Sequence, residues 1–388
     1  MKANMLYQPY KEYLAATQEK EQWRCLQIRE SGDYLDFSNN DYLTLNSNSS
    51  VMKAANNAMQ EFGLGSTGSR LLSGNYDLFS QLESQIAKSH NTESALVLNS
   101  GYQANLAVVA ALLNKQIIKQ QAIAFCDKGV HASIYQGIKL SGAHLVRYQH
   151  NDLTDLQELL ALYANDPRPK FILTESLHGM EGDAVDLSRL ISLVEKYNAF
   201  LYLDEAHAIG ILGPSGYGLS SGLNMRHIPH MIMGTFSKAL GVFGAYVAGS
   251  SVLKDYLLNK CAGFIYSTAL PPMVIGAALR AWTIVGDLQS ERIKLLSMAN
   301  ILRTKLKELG FNTGASNAHI FPIILGGEQK AMHAKELLAH RKILVSTIRP
   351  PTVPPASSRI RIALTLKHTE KDIERLLLSM KGLRQELE

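Results

Sequence analysis

Seven short apolar runs constrain the fold of this 388-residue chain more than any other feature. They lie at 95–98, 122–125, 145–148, 171–174, 200–203, 231–233 and 245–248. Several gaps between them carry helical spacing, as at 103–113 and 186–197. Strands that alternate with helices predict an α/β fold with a mostly parallel central sheet, covered on both faces. Ligands on such sheets bind beyond the carboxyl ends of the strands. Residues 1–45 read as an arm, polar and helical at first, ending in a short strand-like stretch at 34–37. Residues 46–285 read as the large α/β domain, closing with the start of a long helical stretch at 272–309. Residues 286–388 read as a smaller C-terminal α+β domain. It has strand patterns at 320–324, 343–346 and 359–364, a proline-rich turn at 350–355 and a terminal helix.

Two of the apolar runs end in reactive residues. Asp204-Glu-Ala-His207 closes the run at 200–203, and Thr235-Phe-Ser-Lys238 follows the run at 231–233. A carboxylate, an imidazole and an amine thus stand at the ends of neighbouring strands. Pyridoxal 5'-phosphate (PLP) needs this set. A lysine amine forms the Schiff base with its aldehyde, and a buried carboxylate keeps its pyridine nitrogen protonated so that the ring accepts electrons. An imidazole beside the ring hydrogen-bonds its phenolate oxygen. Asp204 would serve equally as a cap for a helix beginning at Glu205, and His207 as a core histidine.

Ser100-Gly101-Tyr102 follows the strand at 95–98 and opens a helix, where exposed amides suit a phosphate. Any strand–helix turn offers as much, so the assignment leans on Lys238. Thr235 adds a hydroxyl to the same phosphate. In Ser358-Arg-Ile-Arg-Ile-Ala363 the alternation is strand-like, with Arg359 and Arg361 on one face. Arg361 suits an amino-acid carboxylate, since its fork binds both oxygens. The alternative is a solvated strand face.

A net charge of +5 without a Lys/Arg block argues against a nucleic-acid partner. Cys25, Cys126 and Cys261 show neither zinc spacing nor a disulfide framework, which predicts no metal and a reducing compartment. No run suits a signal peptide or a membrane span, so a cytoplasmic protein is expected. Gly63-Leu-Gly-Ser-Thr-Gly68 matches a dinucleotide fingerprint but follows a helical pattern instead of a strand. Gly218-Leu-Ser-Ser-Gly222 has nucleophile-elbow spacing but no feeding strand. His227-Ile-Pro-His230 lacks a third metal ligand.

Seven motifs together resemble the α-oxoamine synthases, PLP enzymes of fold type I, the aspartate-aminotransferase-like fold. They are Phe37-Ser-Asn-Asn-Asp-Tyr-Leu43, His131-Ala-Ser-Ile134, His150-Asn-Asp152, Asp204-Glu-Ala-His-Ala-Ile-Gly210, Gly234-Thr-Phe-Ser-Lys-Ala-Leu-Gly241, Phe264-Ile-Tyr-Ser-Thr-Ala-Leu-Pro-Pro272 and Ile348-Arg-Pro-Pro-Thr-Val-Pro354. The likeness runs from about residue 24 to residue 370. It implies a catalytic set of Lys238, Asp204, His207 and His131, with His131 stacked on the cofactor ring. It places Arg361, Asn40, Arg24 and Thr352 at the substrate. It implies that Ser267 and Thr268 reach the phosphate of a neighbouring subunit's cofactor, so that a homodimer shares its active sites. Within the family, the Ile348–Pro354 stretch and the compact length favour L-alanine and a pimeloyl thioester as substrates, with glycine or L-serine and other acyl thioesters as the alternatives. The chain departs from the family where Thr-Glu-Gly-Val-Phe-Ser-Met-Asp-Gly-Asp is usual. Here the stretch is Thr174-Glu-Ser-Leu-His-Gly-Met-Glu-Gly-Asp183. Gly179 takes the place of a serine whose hydroxyl contacts the phenolate oxygen. His178 and Ser176 are the candidates to replace that contact.

Overall fold

The computed structural model describes residues 2–19, 22–24, 26 and 34–387. Cys25 lies outside them; Cys126 and Cys261 are free and buried. The strands are β1 (Leu35–Asp36), β2 (Ser94–Leu98), β3 (Ile123–Asp127), β4 (His144–Tyr148), β5 (Lys170–Glu175), β6 (Phe200–Asp204), β7 (His230–Thr235), β8 (Ala245–Gly249), β9 (Ile320–Gly326), β10 (Ile343–Leu344), β11 (Ser346–Ile348) and β12 (Ser358–Ala363). All seven apolar runs of the central region are strands. They form one sheet in the order β2-β8-β7-β6-β5-β3-β4. Only β8 runs against its neighbours, so the sheet is mostly parallel, as expected.

The apolar runs are continuous because both faces of the sheet are covered. Successive residues of one strand enter different cores, as the two-residue period requires. On β3, Ala124 and Cys126 pack with Val108 and Ile134, while Ile123 and Phe125 pack with Leu156 and Leu190. Side-chain caps start the covering helices. Asp152 accepts from the amides of Thr154 and Asp155, Asp186 from that of Arg189, and Ser100 from that of Gln103.

The 272–309 stretch divides into two helices, Pro272–Val285 and Gln289–Glu308. The residues between, Gly286-Asp287-Leu288, interrupt the helical run that the pattern had suggested was continuous. Beyond it, β11-β12-β9 form an antiparallel sheet. The predicted strand at 343–346 is split: β10 leaves that sheet and pairs in parallel with β1 of the arm. The arm is thereby stitched to the C-terminal region, with the Ala363 amide donating to the Phe37 carbonyl and the Leu366 amide to the Tyr42 carbonyl. We propose the break after Val285 as the domain division. No helix among the described residues is long and apolar enough to cross a membrane.

Candidate active site

Parallel register brings the reactive groups together. Glu175 at the end of β5 pairs with Asp204 at the end of β6, and Asp204 pairs with Met233 two residues before the end of β7. Lys238 follows β7 on a loop packed against the Asp204–Gly210 segment. Gly210, at φ 86°, has no room for a side chain there, because a Cβ would run into the Ala239 methyl. The Lys238 amine has no hydrogen-bond partner among the described residues. Burial pulls its pKa down to about 8, against the upward pull of the Asp204 and Glu175 charges. About a tenth of the amine is therefore free of its proton at pH 7, far more than for an ordinary lysine.

Asp204 is buried. Its Oδ2 accepts from Asn105 Nδ2 at 2.8 Å and its Oδ1 from the Ala206 amide at 2.8 Å, which leaves lone pairs to spare. Asn105 also accepts from Tyr202 Oη and donates to Ser133 Oγ. Ser133 Oγ lies 2.7 Å from His131 Nδ1, so Asp204 and His131 are set by one network. His131 is exposed on one side, and its amide donates to Glu175 Oε1 at 2.6 Å. Glu175 Oε2 accepts from the Gly179 amide at 3.2 Å, and burial pushes the Glu175 carboxyl up to about 7.

The helix Gly101–Leu112 begins beside Thr235, and the first two amides, Gly101 and Tyr102, have no acceptor among the described residues. Thr235 itself donates to the Gly244 carbonyl at 2.8 Å, so its hydroxyl proton is committed to the backbone. Ser267 Oγ accepts from Gln103 Nε2, and the Thr268 carbonyl accepts from Asn99 Nδ2; both contacts flank the same helix start. Thr268 is exposed.

A second cluster faces this one. Arg361 Nε donates to the Gly179 carbonyl at 2.6 Å, and Nη2 donates to Asn40 Oδ1 at 3.1 Å. Nη1 has no partner among the described residues and remains for a carboxylate. Arg359 lies on the same face and pairs with Glu181. Both arginines are buried, which removes the solvated-face alternative. Tyr42 Oη touches Asn40 Oδ1 at 3.0 Å and His207 Nδ1 at 2.8 Å. Burial first, then the Lys238 and Arg361 charges, hold the His207 pKa well below its usual value, so the ring is neutral. Arg24 and Thr352 are not drawn in; both remain exposed. Tyr42, Ser133 and Glu175 lie in stretches singled out in the sequence but had no role assigned there, and Asn105 lies in none of those motifs.

Behind the site lies a charged group. His150 bridges Asp127 Oδ1 at 3.1 Å and Asp183 Oδ1 at 3.2 Å. His178 lies 3.5 Å from Asp127 Oδ2 and edge-on to His150. Donor atoms of Asp127, His150 and His178 lie within 4.8 Å of one another, the spacing of a candidate metal site that the sequence had not suggested. Asp127 is already met by the amides of Gly129 and Asn151, so we read the group as an ion-pair network.

These residues fit PLP. They supply an unspent amine, a buried carboxylate with spare lone pairs, two unspent helix-start amides and an imidazole with an open side. The profile of the class I and II aminotransferases matches residues 32–379. The chain belongs to that family. Its members are PLP-dependent enzymes of fold type I, and this chain is one of them. It is 43% identical over 363 residues to an 8-amino-7-oxononanoate synthase of Gluconacetobacter diazotrophicus, covering 92% of this chain and 90% of that one. A solved 8-amino-7-oxononanoate synthase of Francisella tularensis superposes with TM-score 0.76 at 29% identity, over 91% of this chain and 98% of that one. A serine palmitoyltransferase of Sphingomonas wittichii superposes with TM-score 0.87 at 25% identity, over 98% of each chain. The resemblance to α-oxoamine synthases is thus borne out.

Proposed function

We propose that the enzyme condenses L-alanine with a pimeloyl thioester, giving 8-amino-7-oxononanoate, CO2 and the free thiol, a step of biotin synthesis. The observation that carries this reading is the unspent Lys238 amine within electrostatic reach of Arg361, which Asn40 holds. The 43% identity to the Gluconacetobacter oxononanoate synthase, against 25% to the palmitoyltransferase, favours this acyl chain. When bound, PLP supplies the electron sink for the pair left on the amino-acid α-carbon.

The residues divide the remaining work. Arg361 Nη1 takes the amino-acid carboxylate, with Asn40 holding Nη2 in place. Lys238 Nζ accepts the α-proton, a transfer its pKa of about 8 suits near neutral pH. Asp204 keeps a proton on the pyridine nitrogen. The α-carbon then bonds to the acyl carbon, the C–S bond breaks, the carboxylate leaves as CO2 and a proton returns to the α-carbon. The Gly101 and Tyr102 amides take the phosphate. Ser267 and Thr268 serve a partner's site in a homodimer, which the exposure of Thr268 supports.

Thiol release from pimeloyl-CoA, compared for L-alanine, glycine and L-serine, tests the assignment. Release that depends on L-alanine is expected. Lys238→Ala should lose both turnover and the visible band of the lysine-bound cofactor. Release with glycine or serine alone would move the enzyme to another α-oxoamine synthase activity. No release beside an intact band would point to a carrier-protein thioester or a different acyl chain.

A further inference from the structure

We propose that Glu175 is a positioning residue for the amino-acid carboxylate: it fixes the turn at Gly179, and that turn fixes the Arg361 guanidinium. The inference deepens the proposed function, since it rests on Arg361 as the site of that carboxylate.

Glu175 ends β5 and is buried. Its two oxygens are spent on two different segments. Oε1 accepts from the His131 amide at 2.6 Å, and Oε2 accepts from the Gly179 amide at 3.2 Å. Residues 176–185 fold back on themselves as a narrow hairpin. The Val185 amide donates to the Ser176 carbonyl, Leu177 and Ala184 form a β-bridge, and the Gly182 amide donates to the His178 carbonyl. Glu175 thus ties this hairpin to the cap residue of the helix Ala132–Ser141.

The far side of the hairpin meets β12. The Gly179 carbonyl accepts from Arg361 Nε at 2.6 Å, and Glu181 pairs with Arg359. Arg361 has Nε committed to the turn and Nη2 committed to Asn40, and these two contacts set the plane of its fork. A hairpin that shifted would tilt the fork away from a bound carboxylate. The two candidates for the missing serine contact take no part in this link. His178 faces Asp127 and Asp183, and Ser176 is fully enclosed.

The link needs a carboxylate at 175. Both partners are backbone N–H donors, so both side-chain oxygens must accept. A glutamine has the same shape but one acceptor. Its oxygen would stay with the nearer donor, His131, and its NH2 group would face the Gly179 amide, which loses its partner. Asp204, on the neighbouring strand end, keeps lone pairs for a ligand, whereas Glu175 has turned both oxygens to the backbone.

The test compares wild type, Glu175→Gln, Arg361→Lys and the double variant Glu175→Gln/Arg361→Lys, each with PLP bound. The shift of the visible band on titration gives the affinity for L-alanine and for ethylamine, which is L-alanine without its carboxylate. Loss of the Glu175 charge also acts on Lys238, but for both amines alike, so the ratio of the two affinities reports the carboxylate. Glu175→Gln should lower the preference for L-alanine by roughly tenfold, the scale of one lost hydrogen bond. Removal of a negative charge would by itself favour the carboxylate, so a lowered preference cannot come from charge. The double variant should lose no more than Arg361→Lys, because Glu175 acts through Arg361. In the apo-protein, hydrogen exchange at the Gly179 amide should be faster in Glu175→Gln than in wild type. An unchanged preference in Glu175→Gln, unchanged exchange or additive losses in the double variant would each overturn the proposal. An unchanged preference in Arg361→Lys would be a different failure: the carboxylate reading itself would fall, and the proposal with it.

Discussion

The pKa of the Lys238 amine is pulled down to about 8 because burial outweighs two nearby carboxylates. Only its neutral form attacks an aldehyde, so capture of PLP by the apo-protein should accelerate as pH rises through about 8 and level off above it. The Asp204 charge pulls this value upward, so Asp204→Asn should move the midpoint of capture to lower pH. Stopped-flow absorbance of the forming band checks the direction, and a midpoint moved to higher pH would contradict it. Lys238, Asp204, His207, Asn40 and Arg361 were legible in the sequence because motifs or strand ends mark them. Asn105 was not. It lies among Ala104, Leu106, Ala107 and Val108 in an apolar helix, and nothing in its spacing names a partner. The one available signal was physical: a polar side chain on a buried helix face needs a partner. Gly179 was legible as a departure, but the ring that fills its space belongs to a residue 28 positions away, 207 against 179.

The ends of β3, β4 and β5 are tied together by the Asp127–His150–Asp183 group, and this tie supports the segment from Glu175 to Asp183 that lines the cleft. Hydrogen bonds and the neighbouring carboxylates overcome burial to raise the His150 pKa to about 10. A histidine raised in this way contributes stability that is whole below its ordinary value of 6.5 and fades as pH climbs through about 10. Asp183→Asn removes one charged acceptor from His150 and should destabilise the protein by about 2 kcal/mol at pH 6. The difference from wild type should narrow as pH approaches 10. Urea denaturation at both pH values measures this, and a gap that widened would refute the assignment of His150 as the cation. At this scale the strands were read well, since seven apolar runs between turns leave few alternatives. The split of 343–346 was not foreseeable, because β10 is defined by a partner in the arm that local pattern cannot name.

Across the whole molecule, the cofactor side of the cleft comes from the middle of the chain and the carboxylate side from its two ends. The proposed sharing of sites between subunits has a simple test. Co-expressed Lys238→Ala and Ser267→Ala/Thr268→Ala chains should form mixed dimers in which one site has both wild-type contributions, restoring roughly a quarter of the wild-type sites in a random mixture. Mixtures no more active than their parents would show that each chain serves its own cofactor. The joining of Asn40 to Arg361 spans 321 positions. A growing chain displays the lysine, the aspartate and the phosphate-binding helix start long before the second half of the amino-acid clamp has been translated. The clamp depends on β1 meeting β10, one of the last pairings to become available. A chain arrested after β8 would contain every residue assigned to its own cofactor and still lack the arginine that holds a substrate. Order of synthesis thus separates capture of the coenzyme from competence to use it.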